Sequence, residues 1–268
     1  MIARSYLYVP ANNSEMLKKA PNRGADALIV DLEDSVAFDQ KAKARENLAS
    51  WLEEAETTVQ IWIRINAETI DEDLSSLSSN KIHGLVIPKA TYENVSYVSQ
   101  KSQGKYKLSA LIETADSILD ARRIATIQHI AFLQIGALDL RAQLGLSDSE
   151  ELDTLKYAQS HLVLASAAAG INQPIAPIYR DFNDEKGLAE SCEYFRSNGF
   201  FGRSCIHPKQ VEVINSAFDT SPEAIAEARA ILDAVSNSQG VTVDSKGRMI
   251  DLASVRVAQR VIESIRSE

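Results

Sequence analysis

Several features are scarce in this sequence, and each scarcity excludes a class of protein. Only two cysteines, Cys192 and Cys205, occur among 268 residues, so no disulfide framework is expected to hold the fold. No apolar run approaches the roughly 18 residues of a membrane span. The first residues, MIARSYLYVP, lack the basic and apolar regions of a secretory signal. We therefore expect a cytoplasmic protein without a membrane partner.

Cationic residues are fewer than acidic residues in this sequence. Lys and Arg total 28 against 37 Asp and Glu, which gives a net charge of −9. Such a chain lacks the broad positive surface that nucleic acid or an anionic membrane requires, so we expect neither as a partner. A small anionic substrate is compatible with this charge where Arg, Lys or a metal ion collects locally.

A regular alternation of apolar runs and amphipathic segments dominates the chain. With 45% hydrophobic residues and no Pro/Gly/Ser-rich linker before residue 219, the chain can form one large domain with a well-buried core. Eight runs have the composition of buried strands. They are 5–10, 27–34, 59–66, 84–90, 108–114, 130–140, 173–179 and 201–208.

Segments with helical spacing separate these runs. Ser14 is predicted to cap one helix and Asp39 the next, and a helical period continues through 111–127. Another helix is predicted over 152–169, with Gly170 as its stop.

This order of elements predicts an α/β fold. Strands that alternate with helices pair in parallel, and eight such units fit a (β/α)8 TIM barrel better than an open doubly wound sheet. No glycine-rich dinucleotide or phosphate-binding loop follows the first strand, which further disfavours the open sheet. We predict a barrel over 1–218 and a C-terminal helical arm over 219–268, which packs on the barrel or on a neighbouring subunit.

Polar residues follow the predicted strands, where a barrel carries its chemistry. Glu113 closes the run LSALIE and Asp139 closes IAFLQIGALD, with one helical segment between them. Carboxylates at the ends of successive parallel strands lie side by side and repel unless a cation separates them, so a divalent metal explains the pair. Other polar residues at these ends are Asn12, Asn13, Asp31, Glu33, Asp34, Arg64, Asn66, Lys89, Arg180, Asp181 and His207.

Arg64 interrupts the apolar alternation of WIRIN. An arginine on a strand of a closed barrel cannot be buried without an anionic partner. That partner is either a bound anion or the carboxylates of DLED, namely Asp31, Glu33 and Asp34, in an internal ion pair. We expect these three carboxylates to support the site rather than to contact the substrate.

Seven strings in the chain occur together in a familiar order and spacing: RSYLYVPANNSEMLKKAPNRGADALIVDLEDSV, IRIN, VIPK, LIET, GALDLRAQLG, GFFGRSCIHPKQ and GRMID. Over nearly its whole length the chain thereby resembles the citrate lyase β-subunit-like (CitE-like) branch of the HpcH/HpaI aldolase superfamily. The resemblance implies a TIM barrel, commonly trimeric, that uses Mg²⁺ to make or break a carbon–carbon bond. The implied substrates are acyl-CoA esters such as citryl-CoA, malyl-CoA or citramalyl-CoA, with a 2-keto acid as the other partner.

The resemblance also implies roles for individual residues. Glu113 and Asp139 match the metal ligands, and Arg64 matches the residue that binds the acid carboxylate and the oxygen that becomes negative. Asp251, in GRMID, matches a catalytic acid/base, although an aspartate there is equally placed to cap a helix over 254–265. Asn66 and Lys89 are further candidates for substrate binding.

For three of the polar or reactive residues a structural role competes with a functional one. Lys89 could meet a substrate carboxylate or a CoA phosphate, or pair with a neighbouring acid. His207 is expected to be structural at the barrel rim, and no spacing among the four histidines is typical of a metal site. Cys205 is expected to be a small buried residue rather than a nucleophile.

Two positions depart from the family pattern. Ala11 stands where many relatives have glycine, and Leu138 stands where many have a second acid just before the metal-binding aspartate. Three hypotheses follow: a Mg²⁺-dependent acyl-CoA carbon–carbon lyase, a CoA-independent 2-keto acid aldolase, and a non-catalytic keto-acid-binding barrel, which Leu138 suggests.

Overall fold

The computed structural model describes residues 3–147, 152–236, 242–243 and 249–263. They form two compact units, one over Ala3–Phe218 and a C-terminal one that begins at Asp219. Among the described helices, none combines the length and apolar character that crossing a lipid bilayer would demand.

The larger unit is a closed barrel of eight parallel strands, as the sequence predicts. Each strand pairs with the next, and β8 closes on β1 through the pairs Ser5–Arg203 and Leu7–Cys205. Every predicted apolar run contains or overlaps one strand. The strands are β1 (Ser5–Pro10), β2 (Ala27–Asp31), β3 (Gln60–Arg64), β4 (Ile82–Ile87), β5 (Lys107–Ile112), β6 (Ile130–Ile135), β7 (Ile175–Ala176) and β8 (Gly202–Cys205).

Helices follow the strands and surround the barrel. They are α1 (Ser14–Lys19), α2 (Lys41–Glu54), α3 (Ile70–Ser76), α4 (Tyr92–Ser102), α5 (Ala115–Leu119), α6 (Ala121–Ala125), α7 (Ala137–Leu144), α8 (Asp153–Ala169), α9 (Glu185–Ser197) and α10 (Lys209–Ala217). The helix predicted over 152–169 is confirmed as α8, and Gly170 ends it in a left-handed conformation.

Three local predictions about helices are wrong. Asn13, not Ser14, caps α1, because its side chain accepts a hydrogen bond from the Met16 amide at 3.0 Å. Asp39 lies inside the short 3₁₀ helix Phe38–Gln40, two residues before the start of α2, and Gln40 rather than Asp39 occupies the cap position. The segment predicted as one helix over 111–127 forms two, because the backbone of Asp120 leaves the helical conformation between α5 and α6.

Alternation along the strands decides which residues face the barrel axis. On β2, Leu28 and Val30 join the large cluster that includes residues of the surrounding helices, whereas Ile29 joins a second cluster. This second cluster fills the barrel with the rings of Tyr6, Trp62 and Phe132, whose centroids lie 4.9–6.3 Å apart. Two residues past Ile29 and Trp62, the same inner face continues at Asp31 and Arg64. The apolar interior therefore ends in charged residues at the C-terminal rim of the barrel.

The described residues of the C-terminal unit form two helices and one short antiparallel strand pair. It contains α11 (Pro222–Ser236), the antiparallel pair β9 (Thr242–Val243) and β10 (Met249–Ile250), and α12 (Leu252–Glu263). Helix α12 begins two residues before the predicted start at 254. The predicted end at 265 lies outside the described residues.

Candidate active site

Arg64 and Asp31 form an ion pair at the rim of the barrel. The two residues are partners in the β2–β3 register, so both side chains emerge on the inner face at the same height. Arg64 Nε lies 2.6 Å from Asp31 Oδ1 and Nη2 lies 2.7 Å from Oδ2. Only 11% of the Arg64 side chain and 1% of the Asp31 side chain are exposed. The internal ion pair that the sequence left open is therefore present.

Electrostatics keep both groups charged. Burial acts to raise the pKa of Asp31, but the hydrogen bonds and charge of Arg64 outweigh it and hold that pKa below its usual range. Burial likewise acts to lower the pKa of Arg64, and Asp31 outweighs it, so that pKa is raised. Arg64 is thus a permanent cation with a fixed orientation.

Glu33 links Arg64 to Lys89. Glu33 Oε2 lies 3.2 Å from Arg64 Nη1, and Oε1 lies 3.1 Å from Lys89 Nζ. Asp34 lies 3.7 Å from the same Nη1 but is largely exposed. The three carboxylates of DLED therefore all face the guanidinium of Arg64.

Glu113 follows β5 on the inner face, two residues after Leu111, and only 4% of it is exposed. Its Oε1 accepts a hydrogen bond of 2.5 Å from the main-chain N–H of Lys89. Burial raises the pKa of Glu113 to about 8, and the negative charge of Asp139 acts in the same direction.

Asp139 reaches this site from a helix. The expectation that it closes the sixth strand is wrong, because β6 ends at Ile135 and Asp139 lies in the first turn of α7. The turn between them is tight at Gly136, where an added Cβ would lie 2.4 Å from the Cβ of Glu113. Since glycine has no Cβ, the start of α7 can approach Glu113 this closely.

Glu113 and Asp139 fit a hard divalent cation. Both supply oxygen, which Mg²⁺ prefers, and the raised pKa of Glu113 shows that its buried charge is poorly compensated by the protein itself. Within the described residues, no three His, Cys, Asp or Glu side chains are grouped so that they could hold a metal. A cation held by Glu113 and Asp139 alone would keep positions for water and substrate.

A cavity of about 740 Å³ opens over these groups. Asp31, Arg64, Glu113 and Asp139 line it, together with Leu138. The cavity extends between α8 and α9, where its wall includes Leu155, Gln159, Tyr179, Tyr194 and Phe195, and it also meets the cationic residues Arg141, Lys156, Arg180 and Arg203. Such a volume is ample for a drug-sized ligand.

Sequence reasoning missed two residues of the inner wall. Tyr8 lies under the guanidinium of Arg64, with 4.9 Å between the guanidinium carbon and the ring centroid, and burial raises its pKa so that it stays neutral. Gln134 joins two strands, because it donates to Ser109 at 3.0 Å and accepts from Ser204 at 3.1 Å. Strand alternation could have found them, because Tyr8 and Gln134 each lie two residues after an inward-facing aromatic residue, Tyr6 and Phe132.

Two candidates for substrate binding are engaged elsewhere and lie outside the cavity wall as the described residues form it. The side chain of Asn66 donates to the buried Asp73 at 2.8 Å, and its main-chain N–H donates to the same oxygen at 2.6 Å. The ammonium of Lys89 is bonded to Glu33. The alternative in which Lys89 pairs with a neighbouring acid is therefore the one observed.

Asp251 belongs to the C-terminal unit and caps α12. Its Oδ1 accepts hydrogen bonds from the main chain and the hydroxyl of Ser254, at 2.7 and 2.8 Å, and the main-chain bond lowers its pKa. The capping role is thus observed, and the catalytic role stays a prediction. Cys205 is fully buried with a raised pKa, as expected for an inert thiol.

The fold and the site define a TIM-barrel enzyme in which two carboxylates, Glu113 and Asp139, and the buried Arg64 line one cavity at the rim of the barrel. More narrowly, the chain belongs to the HpcH/HpaI aldolase/citrate lyase family, whose model matches residues 4–208.

Three similar proteins span nearly all of the chain. A (3S)-malyl-CoA thioesterase of Cereibacter sphaeroides is 32% identical over 97% of this chain and 93% of its own. The mitochondrial citramalyl-CoA lyase of Homo sapiens is 28% identical over 97% of this chain and 84% of its own. The crystal structure of CitE from Mycobacterium tuberculosis, in complex with magnesium, acetoacetate and coenzyme A, superposes with a TM-score of 0.81 at 30% identity and covers 97% of each chain.

Proposed function

We propose that this protein is a Mg²⁺-dependent carbon–carbon lyase. Its substrate is a hydroxyacyl-CoA such as malyl-CoA, citramalyl-CoA or citryl-CoA, and its products are an acyl-CoA and a 2-keto acid. The observation that carries the proposal is that Glu113, Asp139 and the fixed cation Arg64 line one large cavity, in which the charge of Asp139 acts on Glu113. The magnesium complex of a similar CitE and the similarity to a citramalyl-CoA lyase support it.

Glu113 and Asp139 would hold the metal ion. Bound Mg²⁺ supplies Lewis acidity toward the oxygen atoms of the keto-acid half of the substrate. Glu113 is held in place by the main chain of Lys89, whereas Asp139 is exposed on α7. One ligand is therefore fixed by the barrel, and the other can adjust as substrate enters.

Arg64 would bind the substrate carboxylate and stabilise the oxygen that becomes negative as the carbon–carbon bond breaks. Asp31 occupies the edge of the guanidinium formed by Nε and Nη2, so the orientation of Arg64 is set before substrate binds. A fixed donor of this kind contributes roughly 3 kcal/mol to transition-state stabilisation. The predicted substrate contacts of Asn66 and Lys89 stay predictions.

A base must take the proton from the substrate hydroxyl as the bond between the second and third carbons breaks and the acyl fragment leaves as a thioester enolate, and a proton must then be returned to the enolate carbon to give the acyl-CoA. We assign this role to Asp251. Support comes from its place in the GRMID string, and the hydrogen bonds from Ser254 would keep its carboxylate ionised and oriented.

A homo-oligomer, and a trimer in particular, is part of the proposal. The number of subunits follows from the family resemblance alone. Support for self-association comes from α8, whose charged residues Asp153 and Lys156 lie only at its start. Its outward face then carries Tyr157, His161 and Leu164 at helical spacing, and Leu164 is 69% exposed. An exposed face of about two helical turns without a charged residue is typical of a subunit interface. The cytoplasmic location stays a prediction.

The test is a panel of hydroxyacyl-CoA esters assayed with Mg²⁺, with formation of both the 2-keto acid and the acyl-CoA followed. We expect both products in equal amounts from malyl-CoA or citramalyl-CoA. Turnover should be lost in Asp139→Ala and after metal removal. Activity that survives complete removal of divalent metal would contradict the proposal, and metal and keto-acid binding without any turnover would indicate a non-catalytic barrel.

Thioester hydrolysis is the second candidate, because the similar protein from Cereibacter sphaeroides is named a thioesterase. The same cavity could hold the same substrate while water attacks the thioester carbonyl instead. The products distinguish the two activities: cleavage of malyl-CoA at the carbon–carbon bond gives glyoxylate and acetyl-CoA, whereas hydrolysis gives malate and free CoA. A thiol reagent detects only the second.

A further inference from the structure

Lys89 adopts an uncommon conformation at the end of β4. Its φ is 46°, a left-handed value that a residue with a side chain adopts only when its surroundings hold it there. Three contacts do so: its N–H donates to Glu113, its carbonyl accepts from the side chain of Asn94 at 3.1 Å, and its ammonium meets Glu33.

We propose that Lys89 is a positioning residue of the metal site rather than a substrate ligand. Its main chain orients Glu113 toward the cation, and its ammonium keeps Glu33 turned away from it. The inference rests on the proposed function only in taking Glu113 and Asp139 as the metal ligands.

The main-chain half of the proposal depends on the start of α4. Asn94 forms a reciprocal cap with Thr91, in which Asn94 Oδ1 accepts from the Thr91 N–H at 2.8 Å and Thr91 Oγ1 accepts from the Asn94 N–H at 3.2 Å. The side-chain NH₂ group of Asn94 donates a hydrogen bond to the carbonyl oxygen of Lys89. The first turn of α4 thus anchors the carbonyl of Lys89, in the peptide unit next to the one whose N–H holds Glu113.

The side-chain half concerns a third carboxylate. Glu33 is buried, and its charge acts directly on Glu113. A divalent cation beside Glu113 would attract Glu33 as well, and a third carboxylate ligand would occupy a position that the keto acid needs. The contacts of Glu33 with Lys89 and Arg64 oppose this movement.

The decisive experiment measures Mg²⁺ binding to metal-free protein by calorimetry, with no substrate present. We expect Lys89→Met to bind Mg²⁺ tighter by roughly threefold or more, because a nearby cation is lost and Glu33 is released. Turnover should fall in Lys89→Met, whereas Lys89→Arg should keep both the Mg²⁺ affinity and the turnover of the unaltered protein. The double variant Lys89→Met/Glu33→Gln should return the Mg²⁺ affinity to that of the unaltered protein, because the released carboxylate is gone.

A second pair of variants tests the main chain. Asn94→Ala should weaken Mg²⁺ binding, because the carbonyl of Lys89 loses its hydrogen bond and the main chain that holds Glu113 is then less well fixed. Thr91→Ala disturbs the same helix cap but leaves the bond from Asn94 to Lys89, so it should lower the melting temperature without weakening Mg²⁺ binding.

Unchanged Mg²⁺ affinity in Lys89→Met would overturn the side-chain half, and a raised KM alone would assign Lys89 to the substrate instead. Equal effects of Asn94→Ala and Thr91→Ala on Mg²⁺ binding would overturn the main-chain half. Because binding is measured without substrate, the inference survives if the variants behave as expected while the hydroxyacyl-CoA panel shows no lyase activity. In that case only the proposed reaction fails.

Discussion

Gly136 offers the sharpest test of the site geometry. In Gly136→Ala, the new Cβ would lie 2.4 Å from the Cβ of Glu113 and 2.6 Å from its Oε2. Carbon atoms pack at about 3.5–4.0 Å, so Glu113 or the start of α7 must shift by roughly 1 Å. The strand cannot easily yield, because Ile112 is fully buried and its carbonyl accepts from the Gly136 N–H at 2.9 Å. We expect the Glu113 carboxylate to move.

This displacement should affect metal binding more than folding. Overpacking of this kind costs roughly 1–3 kcal/mol of stability, which corresponds to roughly 2–12 °C in melting temperature. Mg²⁺ demands near-ideal octahedral geometry, so its affinity should fall at least about tenfold and turnover about 100-fold. Calorimetric titration of the metal-free protein with Mg²⁺, combined with thermal melting, measures both quantities.

Gly170→Ala is the matched control. Gly170 has φ of 71° and nothing lies within 4 Å of an added Cβ, so alanine strains the backbone without touching another group. Its cost is roughly 1–2 kcal/mol, similar to that of Gly136→Ala, and it lies at the far end of α8. We expect a comparable fall in melting temperature with unchanged Mg²⁺ affinity. The reasoning is refuted if Gly136→Ala binds Mg²⁺ as the unaltered protein does.

Three further predictions follow from the site. Asp251→Asn keeps a side chain that caps α12, so the variant should melt at the same temperature as the unaltered protein but lose turnover. Asp251→Ala should have a lower melting temperature and no turnover. Substantial turnover in Asp251→Asn would contradict a role of Asp251 as base. Because the pKa of Glu113 is raised to about 8 in the metal-free protein, Mg²⁺ affinity should fall roughly tenfold per pH unit below that value and level off above it, since the proton competes with the metal for the ionised form. Titrations at pH 6, 7, 8 and 9 measure this, and a pH-independent affinity would refute the raised pKa of Glu113. Arg64→Lys keeps the charge but cannot span both oxygens of Asp31, so urea unfolding should show a loss of roughly 1.5–3 kcal/mol with a large loss of turnover; an unaltered midpoint would show that the two-point contact is unimportant.

The strands could be predicted because parallel strands in a barrel are buried on both faces. Such strands are continuous apolar runs, and all eight were visible in the sequence. The same signal failed at 130–140, where apolar residues continue from β6 through Gly136 into the first turn of α7. When a run of residues is apolar throughout, its sequence does not indicate where the strand ends and the helix begins.

Caps were predicted less well than helices. Asn13 and Ser14 are adjacent and both are good capping residues, so composition could not choose between them. The choice depends on the backbone conformation, which is extended at Asn13. For Asp251 the sequence offered the cap only as an alternative to catalysis, and the hydrogen bonds from Ser254 show that the cap forms.

The sequence by itself determined the barrel, the family and the identity of the charged residues at the strand ends, since these follow from local composition and from motifs read along the chain. Only the tertiary structure decided which of those residues contact one another and which of them line the cavity. Arg64 meets Asp31 because β2 and β3 pair in a particular register, and Lys89 holds Glu113 through a left-handed main chain. The start of α7 approaches Glu113 closely because Gly136 has no side chain. Each of these contacts joins segments distant in sequence through backbone geometry, which residue type and spacing do not specify.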